Sequence, residues 1–406
     1  MGAVQTSEEF AIPAHVPPEL VCPIGLTEGP EFLAAPYDFM ASLHETHPPI
    51  FFSPSRHAKA AWMLTKYDDV YFVLRHPEIF TTRGATPFPR DPANYFDFIP
   101  LEIDPPLHRK YRAILDPMVS PKAIEALESK IRQFATNLID KFVDRRGCEF
   151  TTEFGRPLPV SIFLDLMGLP QDMRDTFVGW AMGLLHSQDR NQAADAMRQT
   201  ATYLQTVIKE KARDPDAGAV STIVHAAPGG EKLTDREIFG FVFFLFIAGL
   251  DTVFATLNNV ILWLAQNPGR RREIIESPDN IGATVEELLR VFSVTFSGRT
   301  LTRDYELHGI KMKQGDRVTS ILPTANYDPA VFENPKIVNF HRPRKPILAF
   351  GGGVHSCMGA HLARMEMKIC ITEFLRRIPN FELVEGTKIE YWPGGVVGPK
   401  VLPLTW

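Results

Sequence analysis

The chain has 406 residues, 45% hydrophobic and 22% charged, so it can bury a large core, and length alone would allow roughly two or three domains. A net charge of -5 argues against a nucleic-acid binder. Cys22, Cys148, Cys357 and Cys370 lack paired spacing, which fits a reducing compartment better than a disulfide framework.

Residues 1–48 are proline-rich and read as an irregular arm over the body, with a helix expected over 30–44. The first residues carry Glu8 and Glu9 and no basic region followed by an apolar run, so no signal peptide is expected. Residues 50–52 and 61–64 suggest a hairpin, and a helix follows near Tyr67–Arg75. The stretch 87–106, rich in proline and holding Phe88, Tyr95, Phe96 and Phe98, can wall an apolar pocket. Asp104-Pro105-Pro106-Leu107-His108 opens a helix on which His108 and Arg112 share a face. Helical patterns continue over 122–145, 160–167, 171–186 and 191–213.

A long central helix starts at Thr234, whose side chain forms a capping box with Glu237, and stops at Asn267-Pro268-Gly269. Residues 238–265 are apolar enough to span a membrane, but Asp251, Asn258 and Asn259 fall among them, so the segment reads as the buried helix of a soluble protein. Ala248-Gly249-Leu250-Asp251-Thr252 sets an acid beside a hydroxyl in that apolar run. A bond from Thr252 back to the Ala248 carbonyl would distort the helix and open a notch beside Gly249. A kinked core helix with a satisfied Asp would read the same way. Further on, Glu287 and Arg290 stand three apart on one helical face. Residues 300–322 alternate apolar and polar with turns at His308-Gly309 and Gln314-Gly315-Asp316, and 385–406 are again strand-like around Gly394-Gly395.

Phe350-Gly351-Gly352-Gly353-Val354-His355-Ser356-Cys357-Met358-Gly359 precedes a helix expected over 358–376. Cys357 thus stands at a helix N-terminus, where a thiolate is favoured. Gly359 would let a flat ligand lie against the first turn. No Cys-x-x-Cys is present, and His355, Cys357 and His361 do not complete a zinc site; no clear base or oxyanion hole serves a nucleophile. The pattern Phe-Gly-x-Gly-x-His-x-Cys-x-Gly resembles the haem-binding loop of the cytochrome P450 monooxygenases, in which the cysteine thiolate is the axial iron ligand.

That resemblance covers nearly the whole chain. It implies a mainly α protein with small β-sheets, one large triangular domain over 1–406, and haem b with O2 as co-substrate. Cys357 would ligate the iron. His108, Arg112, Arg299 and His355 would clamp the propionates, and Phe350, Gly351, Gly359 and Gly249 would lie against the macrocycle. Asp251 would relay protons and Thr252 would direct them to the reduced oxygen. Glu287 and Arg290 would brace the cysteine loop with Arg342, in preference to Arg344. The chain has no flavin or iron–sulfur motif, so electrons would come from a [2Fe–2S] ferredoxin served by a separate reductase. That ferredoxin would dock on Arg109, Arg112, Arg344 and Arg364.

Within the family the chain resembles the camphor hydroxylase subfamily at Asp97-Phe98-Ile99-Pro100, at 249–252 and at Leu402-Pro403-Leu404-Thr405-Trp406. The subfamily implies a pocket of Phe96, Phe98, Leu101, Leu185, Phe244, Ile247, Thr295 and Val396. Phe96 stands where the subfamily holds its substrate ketone with a tyrosine hydroxyl, and a phenyl ring cannot donate. Gly84 and Asn94 replace carboxylates that help a bound potassium ion, and Ser297 replaces one near a propionate. The expected activity is hydroxylation of a compact, terpenoid- or norisoprenoid-like hydrophobe held by shape, in a soluble cytoplasmic enzyme without membrane or nucleic-acid partners. The alternative is a non-catalytic haem-binding ligand or gas sensor, which would need the thiolate but not the acid–hydroxyl pair.

Overall fold

The computed structural model describes residues 12–54, 60–86, 96–187 and 189–406. Helices form the body. The strands are β1 (Ile50–Ser53), β2 (Ala61–Leu64), β3 (Phe80–Thr81), β4 (Gly147–Glu149), β5 (Ser297–Leu301), β6 (Tyr305–Leu307), β7 (Ile310–Met312), β8 (Arg317–Ser320), β9 (Glu382–Leu383) and β10 (Pro403–Thr405). One sheet has the order β1-β2-β8-β5-β3, a second β4-β10-β9, and β6 pairs with β7 alone. The expected hairpin is β1 and β2, antiparallel with Ile50 opposite Leu64, and every residue of both strands is buried. The β6–β7 turn places His308 and Gly309 at φ of 52° and 80°, left-handed geometry that glycine tolerates without strain.

Three expected helices are divided, two of them outside the central segment. The segment 30–44 divides into Pro30–Ala34 and Pro36–Thr46, because Ala35 precedes a proline and is driven out of helical geometry, to φ -153°. Residues 122–145 divide into Pro121–Glu125 and Glu128–Ile139, with a tighter turn between them in which the Leu127 N–H donates to the Ile124 carbonyl. The helix of His108 begins at Leu107 and runs to Leu115, so both prolines fall before it.

The central segment carries the capping box of Thr234 and Glu237. It is two helices, Asp235–Leu250 and Thr252–Gln266, parted at Asp251. There the Thr252 hydroxyl donates to the Ala248 carbonyl at 3.3 Å, the back-bonding that spacing suggested. By length and composition the pair could cross a membrane, yet Phe241, Phe243, Leu257 and Val260 are fully buried within the protein. The helix after the cysteine loop, Ala360–Arg377, packs on Thr252–Gln266, Glu128–Ile139 and Ile281–Val291. The loop is therefore fixed to the most buried part of the fold.

Candidate active site

Glycines shape the cysteine loop. Gly351 and Gly353 have φ of 68° and 67°, and a Cβ on Gly353 would lie 2.4 Å from the Leu74 carbonyl oxygen, so no larger residue fits there. The Cys357 N–H donates to the Phe350 carbonyl at 2.9 Å, closing the loop. The cysteine itself is exposed, and it lines a cavity of about 360 Å³. Burial among protein groups pushes the Cys357 thiol up, and the Gly359 N–H, Arg112 and Arg364 pull it down by less. The helix starts at Ala360 with Gly359 as N-cap, so the sulfur sits just before the first turn.

Beside the loop, four basic side chains gather around one carboxylate. His108 and His355 are 4.3 Å apart between ring centroids. The Arg112 Nη1 donates to the Ser356 carbonyl at 2.7 Å. Asp104 accepts from Thr81 and Thr82 and lies 3.4 Å from His355 Nε2. Burial raises Asp104, but the hydrogen bonds from His355, Thr81 and Thr82 outweigh it and hold the acid at about 2. Burial lowers His108 to about 4, helped by the neighbouring His355 and Arg112. Arg299 is buried, which lowers it to about 10 against the pull of Asp104. Its Nη1 donates to Ser297 Oγ and the Gly298 carbonyl, both at 2.7 Å, and only its neighbour Ser297 reaches the cavity wall. Crowded cations with depressed basicity favour an anion in their midst.

Opposite the cysteine, Gly249 and Thr252 line the cavity. A Cβ on Gly249 would lie 2.5 Å from the Phe163 ring, so no larger residue fits at this point of the cavity wall. Asp251 is buried and not part of the lining; its Oδ1 is 2.9 Å from His186 Nε2. The pairing of His186 with Asp251 was not foreseen. Glu366 was also missed: it lines the cavity on the cysteine side, and burial pushes it up to about 8.

Of the expected pocket residues, Leu101, Phe244 and Thr295 line the cavity, whereas Phe96, Phe98, Leu185, Ile247 and Val396 do not. Phe96 instead packs edge-on against Phe239 and Phe243 at 4.8 and 5.4 Å, because Gly240 lets the backbone at Asp97 approach the central helix. Phe98 stacks on Phe243, and Val396 pairs with Thr295 one step behind the wall. Phe88, Asn94 and Tyr95 lie outside the described residues.

Glu287 holds the scaffold under the loop. It accepts from Arg290 Nε and Nη2 at 2.9 and 2.8 Å, from Arg342 Nε at 3.1 Å, and from the Asn339 N–H at 2.9 Å. Arg342, and not the exposed Arg344, is the third member. On the outer face, Arg364 pairs with Glu286 and lies over the Phe350 ring at 4.5 Å, and Arg112 also contacts Asp116, so those two charges are largely matched locally. Arg109 and Arg344 are exposed.

No cluster of three or more His, Cys, Asp or Glu side chains that could hold a metal occurs among the described residues. One exposed sulfur over an apolar cavity, with a basic cluster at its rim, fits a metal brought by a planar, anionic macrocycle rather than a protein cage. The cytochrome P450 family profile matches residues 171–400. A probable cytochrome P450 127A1 from Sinorhizobium fredii is 35% identical over 402 residues, 97% of each chain. A methyl-branched lipid omega-hydroxylase from Mycobacterium tuberculosis is 32% identical, with 85% of this chain and 84% of that one covered. The crystal structure of CYP101J2 matches with a TM-score of 0.87 at 30% identity over 98% of this chain and all of that one, and CYP101C1 has the same score at 29% identity. The chain belongs to the cytochrome P450 family and is a bacterial-type, haem-dependent monooxygenase.

Proposed function

We propose that this monooxygenase is a soluble, cytoplasmic enzyme that hydroxylates a compact terpenoid- or norisoprenoid-like hydrophobe with electrons from a ferredoxin. The observation that carries this reading is the shared, mostly apolar cavity: Cys357, Thr252, Leu101 and Phe244 line one space, which would take the haem and its substrate together. When bound, haem supplies oxygen activation, which a thiolate ligand favours. Cys357 would hold its iron, and His108, Arg112 and His355, with Arg299 behind them, would neutralise its propionates.

The polypeptide contributes orientation and protons. Thr252 lines the cavity beside the break at Asp251, so its hydroxyl would hydrogen-bond the reacting group there, and the adjacent Asp251 carboxyl would supply the proton. A sensor would have no use for that acid–hydroxyl pair. Leu107 is exposed on the helix that carries Arg109 and Arg112, and Val354 is exposed on the cysteine loop that Arg112 contacts, an apolar and cationic surface suited to an acidic ferredoxin.

Substrate class is tested by titrating the haem-loaded protein with camphor, fenchone and β-ionone and following the spin-state shift in absorption. With Phe96 turned into the aromatic cluster, camphor should give a partial shift and β-ionone a larger one. A full shift with camphor alone would overturn the shape-held reading. Ferredoxin docking predicts reduction rates that fall steeply as salt rises; rates independent of salt would remove it.

A further inference from the structure

His186 ends the helix Arg174–His186 and is buried. Its Nε2 meets Asp251 Oδ1, while its Nδ1 and the Asp251 Oδ2 have no hydrogen-bond partner among the described residues. The same ring lines a second cavity, of about 910 Å³, which shares no wall residue with the cavity of Cys357. Asp189, Gln192, Asp195 and Gln199 form part of its wall and are exposed, so solvent reaches it. One imidazole therefore separates a solvent-connected space from the acid beside Thr252.

We propose that His186 carries protons from this second cavity to Asp251. The inference rests on Asp251 being the acid that serves Thr252. In the charged ring the Nε2–H bond breaks as an Oδ1–H bond forms, converting an ion pair into a neutral imidazole and a neutral carboxyl. The ring then turns into the second cavity, and solvent protonates the nitrogen left bare. One proton enters per cycle and no electrons move. His186 and Gly179 line the same cavity, and Gly179, two helical turns earlier, has no atom within 4 Å of where its Cβ would stand, so the cavity is open along that helix.

The charged groups around the pair are few. Arg156 lies on the Asp251 side with its guanidinium 4.6 Å from the Phe254 ring centroid. Asp189 and Asp195 line the same cavity as the ring. Trp392 lies 5.1 Å from His186 between ring centroids, with Lys400 beyond it over the indole. His186 is a positioning residue that acts through Asp251.

The test compares His186→Gln, Gly179→Leu and Asp251→Asn. Turnover is read with a [2Fe–2S] ferredoxin and reductase pair and whichever of camphor, fenchone or β-ionone gives the largest spin shift. His186→Gln can still hydrogen-bond Asp251 but cannot carry a proton. It should lower turnover on the order of tenfold. It should also raise the solvent isotope effect and flatten the pH profile between about pH 5 and 8, with haem content and spin shift unchanged. Gly179→Leu fills the second cavity without touching the His186–Asp251 contact and should slow turnover in the same way. In cofactor-free protein labelled with nitrogen-15 histidine, the His186 signals should titrate across that range and move in Asp251→Asn. A slow Asp251→Asn beside a His186→Gln of normal rate and isotope effect overturns the inference alone, as do His186 nitrogens that never titrate. An Asp251→Asn of undiminished rate overturns the acid's role first, and the inference with it.

Discussion

Glu287, on the cysteine side, accepts from two arginines and a backbone N–H, and Arg290 also donates to the Asn326 carbonyl and lies over Phe332 at 5.2 Å. Near Asp251, by contrast, Asp251 Oδ2, His186 Nδ1 and Arg156 Nε have no hydrogen-bond partner among the described residues, and the helix itself is parted. The first region is over-determined: each ionic group has more than one partner, so the loop it supports has one arrangement. The second keeps hydrogen-bonding capacity in reserve. A ligand that must stay still is best held by satisfied networks, whereas a proton can move only where an acceptor is available.

The sharpest way to break this contrast is at the ligand itself. Cys357→Ala should abolish turnover and the thiolate-specific absorption of the reduced carbon-monoxide complex, while the His108–Arg112 cluster still retains some haem. Persistence of that absorption would mean another ligand. Next, Glu287→Gln leaves Arg290 and Arg342 without their buried counter-charge. Breaking a buried pair in this way costs about 3–5 kcal/mol, to be read as a fall in Tm and in haem retention. Asp251→Asn should do the reverse, slowing turnover on the order of a hundredfold with Tm and spin shift little changed. If Asp251→Asn destabilised the protein as much as Glu287→Gln, the two regions would not differ in kind.

The smallest effect is one of pH. His108 sits at about 4 in the fold against an ordinary 6.5, so as pH falls through that interval the unfolded chain takes up a proton that the folded one refuses. Cofactor-free protein should thus hold its Tm above about pH 6.5 and lose stability on the way down to 4. Asp104, held at about 2 against 3.8, adds a further loss only below that range. His108→Asn should flatten the upper part of the melting curve's pH dependence; an unchanged slope would place the titration elsewhere.

Much of this was legible in the linear chain. The β1–β2 hairpin, the Thr234 cap and the Thr252 back-bond all depend on residues within a few positions of one another, where spacing settles geometry. The family resemblance also brought Glu287, Arg290 and Arg342 together, as the structure does. The division of 30–44 before Pro36 was equally local, yet the helical periodicity concealed it. The failures concern side-chain direction. Phe96 had an aromatic neighbour on either reading, and only Gly240 decided which way the backbone beside it would lean.

What the sequence by itself determined, then, is the family, the cysteine proposed to hold the metal, and the place where the central helix gives way. All three rest on short-range spacing and on glycine, threonine and proline stereochemistry. Tertiary structure alone decided that His186 is the partner of Asp251, 65 residues away, and that Phe96 turns into an aromatic cluster instead of the cavity. Partner choice at such separations is set by which faces the core brings into contact.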